Sequence, residues 1–407
     1  MDDLDLTDLD RFAHGFPYDV FDGLRRDAPV WFHPATENTP GGEGFWVISR
    51  YADIVSAASG AATFSSESGP GRTGGGTLIE DLPSGFATGV LLNMMDDPRH
   101  QRFRRLLTPS LSPRTLRTIE EDLRQRAERI VETALTKGDC DFLTDIAAEL
   151  PLQAVAQLLG VPQEDRHQLL LWADATLDHK DRALGESTER TQQAAAEMFA
   201  YGSTLLKRKQ TNPTNDLLSV AANAHIDGAP LSDLEQQMLF NLLIAAGTET
   251  TRNALAIGIH AVIENPATWE QLQSNRNQLP TAVEEMLRWA SPTPYNRRTA
   301  TRDTTIADQQ IRAGDKVTLW WASANRDEEI FPDPHHFDIT RTPNPHLAFG
   351  RGSHFCLGAA LARMEMRVVL DTLLDRVDSL ELTAPIEHTR SNKHTGIRHM
   401  PVHLTPR

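Results

Sequence analysis

Cys356 is the residue of this chain best equipped for chemistry. It lies in Phe349-Gly-Arg-Gly-Ser-His-Phe-Cys-Leu-Gly-Ala-Ala-Leu-Ala-Arg363, bracketed by Gly350, Gly352 and Gly358. Glycines permit positive-φ turns and let the backbone come close to a flat ligand. Leu361, Met364 and Val368 follow at helical spacing, so the thiol stands just ahead of a helix N-terminus. Orphan amides and the helix dipole there favour thiolate over thiol. A free cysteine is more often a core residue, but a core position has no use for so many glycines. Cys140, in Lys137-Gly-Asp-Cys-Asp-Phe142, reads as structural.

A second stretch joins apolar and reactive groups on one helix. Ser232 and Glu235 form a capping box and Asn265-Pro266 ends the run, which predicts a helix about 50 Å long. Its middle, Leu242-Leu-Ile-Ala-Ala-Gly-Thr-Glu-Thr-Thr251, passes from wholly apolar to a glycine, an acid and three threonines. Burying such groups unpaired costs several kcal/mol; the bland alternative is hydroxyls bonded back to the preceding turn. His100 and Arg104, four apart in a helix opened by Asp96-Asp-Pro98, project from one face and can grip one anion. Glu285 and Arg288 are spaced to pair on another helix.

These stretches resemble, in order and separation, the haem-binding loop and oxygen-binding helix of the cytochrome P-450 monooxygenases, in their soluble bacterial branch. The resemblance runs from about Tyr18 to Val402. It implies a mainly α-helical fold with a small β region, a long central helix over the haem, and one haem b. Cys356 becomes the axial thiolate ligand of the iron, with Phe349, Gly350, Gly358 and Ala246 against the cofactor. His100, Arg104, Arg298 and His354 bind its propionates. Gly247 lets the long helix open, and Glu249 and Thr250 relay protons for oxygen activation. Leu242, Pro294, Tyr295 and the hairpin tip Lys393-His-Thr-Gly-Ile397 face the substrate. In the family, the Glu285–Arg288 pair takes a third partner from Pro-x-Arg-Phe. The corresponding stretch here is Pro334-His-His-Phe337, so His336 replaces an arginine and a pH-sensitive network is expected.

The remaining segments position these groups. Tyr18 to Arg26 reads as a helix, and Val30 to Phe32 and Phe45 to Ile48 as strands. Residues 113 to 210 read as helices stopped by Gly and Pro, with a charged break near Asp178 to Glu186 suited to a lid. Residues 293 to 325 alternate like strands. Gly69-Pro-Gly-Arg-Thr-Gly74 formally matches a dinucleotide fingerprint but lacks the flanking strand and helix, and is expected to be a mobile loop.

The 407 residues carry no linker, so residues 1–407 are expected to form a single haem domain. A net charge of −16 argues against nucleic acid, and two cysteines exclude a disulfide framework or a Cys-rich zinc site. The N-terminus has no basic and apolar leader and no window is long enough to span a bilayer; a cytoplasmic protein without a membrane anchor is expected. The chain holds no flavin or reductase segment, so electrons must come from elsewhere, and the resemblance implies a ferredoxin reductase and ferredoxin carrying them from NAD(P)H. Arg102, Arg105, Arg351 and Arg363 are expected near the thiolate side to meet an acidic ferredoxin. Glu149 to Arg166 and Ser323 to Pro334 look like actinobacterial sterol side-chain hydroxylases and share wording with antibiotic-tailoring members. A bulky apolar substrate, whether steroid, terpenoid or polyketide, is expected beside O2. The rival readings are a peroxide-driven peroxygenase of the same fold and a non-enzymatic haem sensor or carrier.

Overall fold

The stretch that joins apolar and reactive residues folds as one continuous α-helix, Asp233–Glu264, in a computed structural model that describes residues 4–176 and 189–407. The capping box is formed: Ser232 Oγ accepts the Glu235 amide, and the Glu235 carboxylate accepts the Ser232 amide at 2.9 Å. This helix runs through the main core, packed by Glu149–Leu158, Glu189–Thr211, Leu279–Ala290 and Ala359–Arg376. Its low amphipathicity follows from that position, since a helix covered on most sides needs no polar face.

Two glycines set how closely its neighbours approach. A Cβ on Gly247 would lie 2.3 Å from Val155 Cγ2, and one on Gly258 would lie 2.4 Å from Met286 Cε. The helix stays regular through Gly247, so this glycine admits the helix Glu149–Leu158 and does not open the groove expected of it.

The β structure is small and lies largely at the N-terminal side. Five strands run in the order Val30–His33, Phe45–Ile48, Lys316–Leu319, Asn296–Ala300, Phe64–Ser65. Only the pairing of Phe45–Ile48 with Lys316–Leu319 is parallel. Tyr295 enters this sheet and its ring packs 4.7 Å from Trp320, in a cluster with Phe12 and Phe21. It is 2% exposed, and its hydroxyl oxygen lies 3.4 Å from the Ile79 amide. Tyr295 therefore belongs to the N-terminal core and does not face a substrate pocket as its position after Pro294 suggested. A second sheet orders Val377–Leu382, Pro401–Pro406 and Asp139–Asp141, which holds Cys140 half-buried.

The glycine-rich loop at 69–74 is tied down. Arg72 reaches both Glu43 oxygens, at 2.7 and 2.6 Å, and also pairs with Asp81, while Gly74–Gly75 pairs with Leu82–Pro83. The proposed lid near Asp178 to Glu186 lies outside the described residues. No helix among the described residues is long and apolar enough to cross a membrane.

Glu285 and Arg288, both fully buried, share two hydrogen bonds of 2.7 and 2.8 Å. The third basic group is Arg341, whose Nε stands 3.3 Å from Glu285 Oε2; Asn344 and the Asp338 amide complete the carboxylate's partners. His336 is exposed and offers Arg288 only its backbone carbonyl, at 3.3 Å. It does not replace an arginine, because the chain turns back to bring Arg341 in, and the pH-sensitive network expected of it is not built. Burial alone would raise the Glu285 carboxyl, but the Arg288 hydrogen bonds and charge outweigh it and hold it low. Arg341→Ala is therefore expected to lower stability by about 1–3 kcal/mol, the cost of a charged hydrogen-bond partner, and His336→Ala to change it by less than about 0.5 kcal/mol. Denaturant midpoints of the two variants check this; equal midpoints would contradict it.

Candidate active site

The cysteine loop is closed by its own backbone. The Gly350 amide donates to the Leu347 carbonyl at 2.9 Å, and the Cys356 amide donates to Phe349 at 2.9 Å. Gly352 adopts φ +78°, and a Cβ there would sit 2.4 Å from the Ala58 carbonyl oxygen. Only glycine satisfies both conditions. The chain then enters the helix Ala359–Arg376, directing the Gly358 and Ala359 amides at the Cys356 sulfur. Burial pushes the thiol up, while those amides, Arg104 and Arg363 pull it down. Burial prevails, so the helix N-terminus alone does not hold a thiolate here; a cation at the sulfur would.

The cysteine is nonetheless exposed at its surface. Both facts hold because the sulfur faces a cleft within the fold. Phe355, 40% exposed beside it, and Ala246, exposed on a helix turn between buried Ile244 and Thr248, behave the same way.

A basic cluster flanks the thiol. The rings of His100 and His354 stack at 3.9 Å, and His100 Nδ1 lies 3.1 Å from Asp97 Oδ1. Arg298 is 5% exposed and donates to the Arg297 carbonyl at 2.9 Å. Neither Arg298 nor Arg104 makes a carboxylate ion pair among the described residues. Burial lowers Arg104, and lowers Arg298 to about 10. Burial, Arg298, His100 and Arg104 together push His354 to about 2. A charge taken out of water without a partner is costly, so Arg298 and the half-buried Arg104, flanked by two imidazoles, are built to receive an anion.

On the long helix, the Thr248 hydroxyl donates to the Ile244 carbonyl at 2.7 Å and Thr250 to Ala246 at 2.8 Å. Glu249 is buried at 3% exposure, with His394 Nε2 standing 3.7 Å from its Oε2. Thr251 hydrogen-bonds Glu365, a fully buried carboxyl that burial raises well above the usual range. Pro294 is buried and its carbonyl accepts the Ala322 amide; Leu242 is half-buried against the main core. Sequence reasoning passed over Glu365 and the side chain of His394. Glu365 is detectable as an acid one helical repeat from both Leu361 and Val369 on the buried stripe. His394 carries no local signal.

Of the arginines expected to meet a partner, Arg102 pairs with Asp227. Arg363 pairs with both Glu284 oxygens at 2.6 and 2.8 Å and lies 4.5 Å over the Phe349 ring. Arg105 and Arg351 are exposed.

A soft sulfur donor in a cleft, glycines that let the backbone approach a flat body, and buried cations awaiting an anion fit a planar metallocycle bearing carboxylates, which is the chemistry of haem. The family model described as Cytochrome P450 matches residues 135–392. A Mycobacterium tuberculosis protein designated cytochrome P450 126 is 48% identical, over 98% of this chain and 97% of its own. A steroid C26-monooxygenase of the same organism is 36% identical over 99% and 93%. The structure of Mycobacterium marinum CYP268A2 in complex with pseudoionone superposes with a TM-score of 0.87 at 33% identity, covering 95% and 94% of the two chains.

Beneath the cysteine loop, burial would raise Glu284, but Arg363 and His346 outweigh it and hold its carboxyl at about 2. A carboxyl depressed from its ordinary 4.5 stabilises the fold above that value and loses the contribution as pH falls toward about 2. The gap in melting midpoint between the wild type and Glu284→Gln should thus be widest above pH ~5 and close on acidification. A gap independent of pH would contradict this.

Proposed function

The chain belongs to the cytochrome P450 family of haem-iron monooxygenases, and from that premise we propose that it oxidises a bulky apolar substrate using O2, a haem b held by Cys356, and electrons from a ferredoxin. The observation that carries the reading is the Cys356 thiol, set on a glycine loop in a cleft and flanked by a buried basic cluster. Haem iron, when bound, supplies the reducible centre at which dioxygen is activated.

The protein's own groups do the rest. Cys356 supplies the sulfur, and hydrogen bonds from the Gly358 and Ala359 amides temper its charge. Phe349, Gly350 and Gly358 form the floor on that side, and Ala246 presents a small side chain from the long helix. His100, Arg104, Arg298 and His354 would hold the two propionates, supplying the carboxylate that Arg104 and Arg298 lack among the described residues. Glu249 takes up protons and Thr250 passes them on; the Thr250 hydroxyl, donating to Ala246, keeps its lone pairs free to accept. Leu242 and Pro294 belong to the substrate side. The steroid and the pseudoionone in the names of two relatives support a steroid or terpenoid substrate, with a polyketide the third bulky apolar class in this reading.

Electrons come from NAD(P)H through a ferredoxin reductase and ferredoxin, the family requirement for redox partners being general. With Arg102 and Arg363 committed to carboxylates, Arg105 and Arg351 are left to meet an acidic ferredoxin. The reading places a single haem domain over the whole chain, acting in the cytoplasm.

Cys356→Ser should abolish the red-shifted absorbance of the thiolate-ligated, reduced, carbon monoxide form. Thr250→Ala should keep that absorbance yet divert reductant to hydrogen peroxide, cutting product per NAD(P)H by about a hundredfold, the low end of the usual range for a lost proton-transfer group. Full activity in the serine variant, or unchanged coupling in Thr250→Ala, would overturn the respective assignment.

A further inference from the structure

Resting on the proton relay assigned above to Glu249 and Thr250, we propose that His394 is the positioning residue that loads Glu249 with protons from solvent. Glu249 lies in the interior, its side chain 4% exposed, and needs a route to water. His394 meets it at 3.7 Å with a side chain 26% exposed, so one imidazole touches the buried acid and keeps an accessible face. Histidine is the side chain whose ordinary titration range lets it give and regain a proton near neutral pH.

The pairing is held in place from several directions. His394 sits on the tip of the hairpin formed by Glu387–His388 and Ile397–His399. Within the tip, the Thr389 amide donates to Gly396 at 2.9 Å, and the Lys393 and His394 amides converge on Ser391 Oγ at 3.1 and 3.3 Å. The tip is anchored outward by the Thr395 amide on the Pro292 carbonyl at 3.0 Å and by Asn392 Nδ2 on the Leu6 carbonyl at 3.0 Å. It is pressed onto the long helix itself: a Cβ on Gly396 would stand 2.9 Å from Asn253 Oδ1. Catalytic contacts of this kind are often long before ligands bind and tighten afterwards.

The step moves one proton and no electrons. The Nε2–H bond of the His394 imidazolium breaks and an O–H bond forms at Glu249 Oε2, leaving a neutral imidazole and a carboxylic acid. The imidazole regains its proton from solvent, and Glu249 passes its own toward Thr250. The charged groups nearest the pair along the chain are Arg252, one turn along the long helix from Glu249, and Lys393, adjacent to His394, whose ammonium engages Glu80.

The test uses the haem-loaded enzyme with its reductase, ferredoxin and a turned-over substrate, comparing wild type, His394→Gln, His394→Ala and His394→Lys. Variants that keep the thiolate-ligated carbon monoxide absorbance and the wild-type melting midpoint qualify, and the glutamine variant stands in should the alanine variant fold poorly. The expected result is product formation about tenfold slower, less than the ~10²-fold or more for losing a group that transfers the proton directly, a larger solvent deuterium isotope effect, and loss of the rate dependence between about pH 6 and 8. Lysine should preserve the ion pair without restoring the pH dependence. Independently of turnover, NMR titration of His394 in the reduced carbon monoxide form should show its midpoint moving by about half a unit or more in Glu249→Gln. Wild-type rate, isotope effect and pH profile in both His394→Ala and His394→Gln would overturn the inference, as would a His394 midpoint indifferent to Glu249→Gln. If Glu249→Gln and Thr250→Ala alter coupling while the His394 variants do not, this inference alone fails. If Glu249→Gln leaves coupling intact, the relay itself fails and takes the inference with it.

Discussion

Two arginines, Arg104 and Arg298, without a carboxylate partner among the described residues are the constraint on which the rest of the molecule turns. Arg298 lies in the interior beside His100, His354 and the half-buried Arg104; burial shifts all four toward their neutral forms, and the neighbouring arginines add to the shift only at the two histidines. A protein gains nothing in folding from such a cluster, since uncompensated charge in a low dielectric opposes the folded state. Its presence beside a thiol that burial keeps protonated means the two halves of the site want complementary things. The cations want carboxylates and the sulfur wants a metal. One flat ligand carrying both settles the electrostatics at once.

The surrounding architecture works to keep that site open and shaped. Gly352 lets the cysteine loop lie against the Ala58 carbonyl, and Gly247 lets the helix Glu149–Leu158 draw up to the long helix. The Glu285, Arg288 and Arg341 network closes its own hydrogen bonds completely enough that burial of its charges is tolerated. It ties the helix Leu279–Ala290 to the segment leading into the cysteine loop. Glu284, next along that helix, holds Arg363 over Phe349 directly beneath the thiol. Stability and site geometry therefore share side chains.

Polar groups on the long helix divide between structural and reactive duties. Thr248 spends its hydroxyl on the preceding turn in the buried interior, which is the ordinary fate of a helical threonine. Thr250 makes the same bond but is less buried, next to the exposed Ala246, and so retains an accessible oxygen. Glu249 and Glu365 are both buried acids in separate environments: one meets a histidine, the other a threonine hydroxyl. Environment separates the roles available to chemically identical groups.

The amino-acid sequence by itself determined whatever depends on near neighbours. The glycines around Cys356, the Ser232–Glu235 cap, the shared face of His100 and Arg104 and the Glu285–Arg288 pair are all relations across a few residues, which helix and turn geometry dictate directly. Individual helices and short strands were legible for the same reason, while the mainly helical architecture with a small sheet was what the resemblance implied. Tertiary structure alone decided the relations between distant segments. Arg341 took the place assigned to His336 because an irregular loop has no period from which to count. Tyr295 turned into the N-terminal core because Trp320, on another element of that sheet region, offered it a packing surface. Glu365 found Thr251, and His394 found Glu249, across more than a hundred residues of chain. Contacts of that kind arise when helices and hairpins settle into a common core, and only the packed chain specifies which side chains then face one another.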